Sequence, residues 1–491
     1  MGSSVRQAVW MRPAGARSHR WGALVLLASC GIIGGLLGCG PSHAPRTMEG
    51  APVSLTPQDR LLILAPHPDD EVLCCGGLLQ QAVAMQLPVR VVFFTYGDNN
   101  QWSFLVYRKR PVLLPGSMRR MGEVRHDEAI TAARILGLAP DHLTFLGYPD
   151  FGTLSIWHDH WGDRPPFTSM LTRATAVPYP DALRPGAPYK GEEVVRDLTA
   201  VLREFRPTKI FVSHPGDHMP DHRSLALFTQ IALWDLESVI GTPEVYPYLI
   251  HFKRWPRPKG AHAASRLEPP AAFREGMTWR SFVVSPTQLA RKQQALAAHR
   301  TQYVYNARYL LSFVRSNELF GQSSPIPLGR VRDPIQIHEE PEADHAAESV
   351  ESAEELTDIE RAAFVGLETR SIQLAGDQLV LSIEFSRPLA QAVEASIDVF
   401  GYRRDRPFAR MPKLHVRVGA FTQAVYDQQR PLSPGTVQVT RRSNQLTIRM
   451  PLASLGDPDK VLTGARTFLG EIPLDWSSWR VLDLTSEGLS S

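Results

Sequence analysis

The sequence predicts an α/β domain built on a parallel sheet, followed by an all-β sandwich domain, and three observations carry that expectation. From Leu61 to about residue 330, short apolar runs alternate with segments of helical periodicity, the signature of repeated βαβ units. Between Glu339 and Glu360 ten acidic residues occur without a Lys or Arg, which reads as a solvated, self-repelling linker. Beyond it the apolar period falls to two, as in "QLVLSIEF" and "LTIRM", the pattern of half-buried antiparallel strands.

At 491 residues and 43% hydrophobic content the chain can fill two separate cores. Its 53 Lys plus Arg against 50 Asp plus Glu leave no global basic field, so nucleic acid is excluded as a partner and a small or neutral substrate fits better. Arginines at 6, 12, 17 and 20 precede the uncharged run "WGALVLLASCGIIGGLLGCG", which reads as an export signal. The run ends in "LLGC", which resembles the lipobox of bacterial lipoproteins and points to lipidation at Cys39. "LASC", ending at Cys30, is a second match, and an uncleaved anchor over Trp21 to Gly38 is the alternative. Either way the remainder is expected outside the cytoplasm as an exported, membrane-anchored lipoprotein. Cys74 and Cys75 then remain as neighbours, too close for a relaxed disulfide.

These signals divide the chain into a signal peptide (1–39), a Pro-rich tether (40–59), the α/β domain (60–330), the acidic linker (331–360) and the sandwich (361–491). Within the α/β domain Leu61 to Ala65 reads as a strand, Leu73 to Met85 as a helix and "VRVVFFTYG" as a strand. "EVRHDEAITAARILGL", "LTFLGYP", "VVRDLTAVLREF" and "KIFVSHP" continue the alternation, and one long helical pattern from "PTQLARKQQ" to "SNELF" closes it.

The chemistry collects after two of the predicted strands. In "LLILAPHPDDEVLCCGG" the apolar run stops at His67 and is followed by Asp69, Asp70 and Glu71. On the loop at the carboxyl end of a parallel strand these side chains face a crevice, where an imidazole and one carboxylate make metal ligands and a second carboxylate serves as general base. A second cluster, "SHPGDHMPDHRS", follows "TKIFV" and packs His214, Asp217, His218, Asp221 and His222 into nine positions. If both strands are neighbours, both loops open on one edge and a His-Asp-His site with an open coordination position results.

"APHPDDEVLCCGG" and "HPGDHMPDHRS" resemble the two signatures of the PIG-L/LmbE-like zinc-dependent deacetylases, over roughly residues 60 to 330. The resemblance implies a Rossmann-like fold and removal of an acetyl group from N-acetylglucosamine or a related N-acetyl sugar conjugate. It implies Zn²⁺ held by His67, Asp70 and His222, a metal-bound water as nucleophile, Asp69 as general base, and Asp221 as the group that orients the ligands. "RHDEAITAARILGL" is similar to the family's Arg-x-x-Glu helix and makes Arg125 a substrate contact, while "LGYPDFGT" puts Asp150 where the family bonds a sugar hydroxyl. One departure stands out. The family's histidine three positions before the last ligand is Met219 here, which leaves His218, on the same helical face as His222, as the substitute proton donor, His214 as another, or no acid at all.

The remaining residues take quieter roles. Glu71 is expected to cap the following helix, Gly76 and Gly77 to allow close backbone approach, and the two cysteines to act as small buried hydrophobes. Trp102, Trp157 and Trp161 lie in polar, loop-like segments and are expected to stack on sugar rings, whereas His158 and His160 read as a surface pair rather than a second metal site. Trp476 and Trp479 leave glycan binding by the sandwich and simple packing equally open. The competing functions are a catalytically impaired glycan-binding lipoprotein and a metal amidase for another N-acyl group; a nucleotide-binding protein is disfavoured because no G-x-G-x-x-G follows the first strand.

Overall fold

The computed structural model describes residues 48–99, 114–273, 277–328, 334–338, 357–470 and 472–485. Its main sheet is built from β1 (Met48–Glu49), β2 (Leu61–Ala65), β3 (Val89–Thr95), β4 (Leu143–Tyr148), β5 (Lys209–Ser213), β6 (Glu244–Tyr248), β7 (Thr278–Val283) and β8 (Asn317–Gln322), in the order β1-β7-β8-β6-β5-β2-β3-β4. Strands β4, β3, β2, β5 and β6 are parallel. Each residue of β2 and β5 is buried, as a strand covered by helices on both faces must be. The chain runs outward from β2 through β3 to β4, then returns to the other side of β2 as β5 and continues to β6. That reversal opens a crevice at the carboxyl ends of β2 and β5, the place where parallel sheets bind ligands.

The covering helices are α1 (Asp70–Ala84), α2 (Pro115–Leu136), α3 (Thr153–Asp159), α4 (Gly191–Phe205), α5 (Pro220–Ile240), α6 (Pro286–Ala298) and α7 (Arg300–Leu310). Helix α1 explains the "CCGG" run. Its backbone departs from helical geometry at Cys75 (φ −137°), and the backbone N–H groups of Gly77 and Leu78 donate to the Glu318 carboxylate at 2.7 and 2.9 Å. Glu318 is in turn paired with buried Lys292 at 2.8 Å. A Cβ on Gly76 would fall 2.9 Å from the Lys292 side chain and one on Gly77 2.7 Å from Val284, so both positions require glycine for this approach. Cys74 and Cys75 are buried free thiols whose pKa values are raised by burial, which keeps them protonated and inert.

Three features differ from the sequence expectations. The sheet is mixed, because β8 runs antiparallel to both β6 and β7. The closing helical pattern is two helices that meet at His299, and "NELFGQ" beyond them is β8 itself. The tether also docks at its end: β1 pairs with β7, the Gly50 N–H donates to the Trp279 carbonyl at 2.7 Å, and Val53 is buried in the core. Cys30, Cys39, Trp102 and residues 331–333 and 339–356 of the acidic linker lie outside the described residues, whereas Ile335–His338 within the linker bounds form a strand paired with Leu367–Ala375. Among the described residues no helix is long and apolar enough to cross a membrane.

Among the described residues the C-terminal part is built on antiparallel sheets, with one short parallel pairing at an edge, and is preceded by a short helix, Asp358–Ala363, capped by Thr357. Its strands are β9 (Ile326–Pro327), β10 (Ile335–His338), β11 (Leu367–Ala375), β12 (Gln378–Phe385), β13 (Val393–Tyr402), β14 (Lys413–Gly419), β15 (Gln423–Asp427), β16 (Arg430–Pro431), β17 (Gln438–Arg442), β18 (Gln445–Pro451), β19 (Lys460–Leu469), β20 (Ile472–Trp476) and β21 (Arg480–Asp483). One sheet has the order β10-β11-β12-β18-β17 and the other β16-β15-β14-β13-β19-β21-β9, with β20 paired to β19. Alternate side chains such as Leu379, Leu381, Ile383, Ile397, Val399, Leu446 and Ile448 fill the space between them, the core of a sandwich.

This sandwich is fused to the α/β part rather than tethered beside it. Trp157 and Trp161, expected at a sugar site, are 0% and 1% exposed. Trp157 packs on Phe228 of α5 (centroids 5.1 Å apart) and on Phe400, Phe408 and Trp479 of the sandwich (5.5, 5.4 and 6.1 Å). Trp479 is likewise buried, and Trp476 lies under the Arg223 guanidinium at 4.4 Å, so both serve packing. Apolar area hidden by the partner domain cannot be seen in a local window, which is why polar neighbours misled the reading of these tryptophans. Trp157→Ala is expected to lower stability by about 3–5 kcal/mol, read from urea unfolding; a loss below about 1 kcal/mol would contradict the described packing.

Candidate metal centre

The loop after β2 and the loop after β5 meet in the crevice. His67 follows Pro66 at the end of β2; its backbone N–H donates to Asp70 Oδ2 at 2.9 Å and its Nδ1 lies 3.2 Å from the same oxygen. His222, in the first turns of α5, places Nε2 3.2 Å from Asp70 Oδ2 and Nδ1 3.2 Å from Asp217 Oδ2, yet neither contact has the geometry of a hydrogen bond. One donor atom each from His67, Asp70 and His222 lies within 4.8 Å of the others. Two ligands on one tetrahedral zinc are about 3.3 Å apart, given bond lengths of about 2.0–2.1 Å. Two imidazoles and a carboxylate, with buried His222 nitrogens left unsatisfied, therefore fit a divalent cation of zinc type.

A second set of carboxylates holds the ligands in place. His67 Nε2 lies 3.2 Å from Asp150 Oδ1 and 3.2 Å from Asp221 Oδ2, which leaves Nδ1 directed at Asp70. Asp221 is fixed by the Phe151 N–H (2.6 Å), the Thr153 N–H (3.2 Å) and the Thr153 hydroxyl. Asp217 accepts from the N–H groups of Met219, Ile250 and His251 at 2.9–3.0 Å. Carboxylates behind metal-bound histidines orient the ring and fix its tautomer. Although burial opposes a charge on His222, Asp217 and Asp70 push its pKa up to about 9; His67 is likewise raised well above the ordinary value against burial by Asp150, Asp221 and Asp70. Although burial opposes ionisation of Asp70, the two histidines hold it well below the usual carboxylate range.

Asp69 faces the pocket from a strained position, with φ 129° at a residue that is not glycine. Its own N–H donates to Glu71 Oε2 at 2.9 Å, so Glu71 does cap the start of α1, and Glu71 also sits 3.2 Å from His299. Burial raises the Asp69 carboxyl to about 7, a shift that Arg125 opposes from 3.7 Å. Arg125 is buried and donates to the carbonyls of Gly97 (3.1 Å) and Pro68 (2.8 Å), which ties α2 and β3 to the Asp69 loop. It lines the pocket, as does Asp150, but both are engaged with protein atoms: Asp150 accepts from the Asn99 N–H at 2.9 Å and faces His67.

The pocket is a cavity of about 180 Å³ bounded by His67, Asp69, Asp70, Arg125, Asp150 and Met219 on the sheet side and by Gln302, Tyr305, Asn306 and Tyr309 of α7 opposite. The expected proton donor is elsewhere. His218 packs on Phe252 with ring centroids 4.6 Å apart and does not line the cavity; His214 is buried against Phe273 and Trp279. Besides His67, the histidine that lines the cavity is His251, just beyond β6, with its ring 4.9 Å from that of His222 and Nδ1 3.4 Å from the Tyr309 hydroxyl. Burial and the neighbouring His222 lower its pKa to about 4, so it is neutral. Phe151 and Tyr305, 46% and 36% exposed, form the aromatic rim.

A parallel sheet whose switch point brings two imidazoles and a carboxylate onto convergent atoms defines a class of α/β proteins with a metal centre at the carboxyl edge. Residues 62–233 match the family model "PIG-L: GlcNAc-PI de-N-acetylase". A relative from Kribbella flavida, named 1D-myo-inositol 2-acetamido-2-deoxy-alpha-D-glucopyranoside deacetylase, is 27% identical over 296 residues, 55% of this chain and 91% of the relative. A relative of the same name from Mycobacterium sp. (strain KMS) is 27% identical over 189 residues, 37% of this chain and 54% of its own length. Among solved structures, N,N'-diacetylchitobiose deacetylase from Pyrococcus horikoshii is 19% identical with a TM-score of 0.33, covering 53% of this chain and 82% of that one.

Proposed function

We propose that this protein is a zinc-dependent hydrolase that removes the acetyl group from N-acetylglucosamine or a related N-acetyl sugar conjugate. The observation that carries the proposal is the convergence of donor atoms from His67, Asp70 and buried His222, of which His67 and Asp70 line the same cavity as Asp69. The named deacetylation of an N-acetylglucosaminyl group by the relatives supports the substrate class. When bound, the cation acidifies water and polarises the acetyl carbonyl. Asp69 takes the proton of the attacking water and returns it to the departing amine, and Arg125 opposes the rise that burial imposes on its carboxyl. Neutral His251 donates a hydrogen bond to the oxygen that gains charge, the part expected of the residue that is Met219 here. Phe151 and Tyr305 offer the faces on which a sugar ring stacks.

His251→Ala is expected to lower kcat by about 10²–10³, whereas His218→Ala leaves it within about threefold. The reverse ranking would return the role to His218. We further propose export and lipid anchoring through Cys39. Cys39→Ser is expected to abolish labelling by radioactive palmitate and release the protein from membranes; retained labelling, lost instead in Cys30→Ser, would move the anchor.

The substrate class is tested by incubating the zinc-loaded full chain with free N-acetylglucosamine, chitooligosaccharides, N-acetylglucosaminyl inositol and N-acetylglucosaminyl lipid, beside N-propionyl counterparts, and measuring the acid released. Acetate from one or more acetyl compounds is the expected result. Faster release of the longer acid would point to a different N-acyl group.

A further inference from the structure

A second cluster lies at the seam between the two parts of the chain. Asp398 of β13 and His415 of β14 are direct cross-strand partners, and His415 Nδ1 sits 2.7 Å from Asp398 Oδ1. The other ring nitrogen, Nε2, is 3.2 Å from the His158 carbonyl oxygen, which only accepts, so Nε2 bears the hydrogen. A neutral ring then turns its Nδ1 lone pair on a carboxylate at 2.7 Å, and a positive centre has to lie between them. His158 of α3 completes the group. Only 6% exposed, it directs Nδ1 to within 3.9 Å of Asp398 Oδ2, and that nitrogen has no hydrogen-bond partner.

A proton on His415 answers one of these contacts and leaves His158 Nδ1 unsatisfied. A metal ion answers all of them once the 2.7 Å contact opens to the roughly 3.3 Å that two ligands of one tetrahedral zinc keep, and one donor atom from each of the three residues already lies within 4.8 Å of the others. We infer that His158, Asp398 and His415 form a second divalent-cation site, of zinc type, which clamps helix α3 to the sandwich.

The surroundings have the form of ligand support. Nε2–H of His415 is held by a backbone carbonyl, and the Ser396 hydroxyl donates to Asp398 Oδ1 at 3.2 Å. His158 is lowered to about 3 by burial, with His415, Arg466 and Arg417 adding to the shift, so it stands in the neutral form that binds metal. Arg417 and Arg466 oppose a cation, but their guanidinium groups lie over the rings of Tyr426 (5.7 Å) and Trp476 (5.4 Å). Asp159 Oδ1, 4.0 Å from His415 Nε2, adds a compensating carboxylate. None of the three ligands lines the cavity of the first centre, so the role is to join domains rather than to act on substrate. The expectation that His158 is a surface residue is overturned; His160, with Nδ1 2.7 Å from the Pro165 carbonyl, does not belong to the group.

Zinc per chain, measured by plasma mass spectrometry on the full chain and three variants after equilibration with dilute zinc, separates the two sites. Two ions in the parent, one in His222→Gln, one in His158→Gln and none in the double variant are expected. One, none, one and none would overturn the clamp and keep the first centre; one, one, none and none would keep the clamp and overturn the first centre. Because His158→Gln could misfold, the His222→Gln protein is also titrated with cobalt(II), where one equivalent with tetrahedral visible absorption and a higher melting temperature is expected. Absence of binding there overturns the clamp.

Discussion

Asp69→Asn is expected to lower kcat for acetate release by about 10²–10⁴ while zinc content stays at the parental level. The carboxylate is the one acidic group in the cavity that neither faces a ligand histidine nor takes its place among the converging donor atoms, so its loss removes proton transfer and not the site. Asn preserves size and the backbone N–H bond to Glu71, which secures the strained loop. The pH profile carries the same information. Burial places the Asp69 carboxyl at about 7, and a neighbouring cation pulls it lower, so kcat/KM should rise about tenfold per unit on an acid limb at or below pH 7 and then level. The limb should vanish from the residual activity of Asp69→Asn. Arg125 lowers the Asp69 pKa, and Arg125→Gln should therefore move the limb to higher pH; a limb unmoved in both variants would assign it to another group.

His222→Gln is expected to lose one equivalent of zinc and essentially all acetate release, the larger of the two effects. A three-residue donor set has no spare ligand, and the buried Asp217 left behind keeps its three backbone N–H donors, so the fold is not forced open by an unsolvated charge. Metal affinity in the parent should rise with pH, since Asp70 and Asp217 hold His222 protonated up to about 9 and binding must expel that proton. Zinc retained by His222→Gln at parental affinity would remove His222 from the donor set.

The parts of this molecule that could be read from sequence are those fixed by local pattern. Leu61–Ala65 and Gln378–Phe385 appear as strands because period and burial coincide over a few residues, and His67 and Asp69 fall on the loop beyond the first because an apolar strand must end somewhere; Asp70, read as loop, already opens α1. What escaped depends on long-range pairing. His251 stands in no motif; had the short "EVYPY" segment been taken as the strand after α5, His251 would have fallen on the same carboxyl edge as His67 and His222. Tyr305 and Tyr309 sit on a helix whose period was legible, but the wall it forms was not. Trp157 and His158 were misplaced for a common reason: the sandwich covers them, and that contact joins residues more than 200 positions apart, such as His158 and His415. The Asp398–His415 pair likewise exists only through the register of β13 on β14.

The central claim is that this cavity hydrolyses an N-acetyl sugar by means of a bound cation and Asp69. The most direct measurement is the stoichiometry of acetate and free amine released from N-acetylglucosaminyl compounds by the zinc-loaded full chain, the metal-stripped chain and Asp69→Asn. Equal amounts of acetate and amine from the loaded parent, lost on stripping, restored by zinc and suppressed in Asp69→Asn, are predicted. Acetate release that survives both complete stripping and Asp69→Asn would contradict the account.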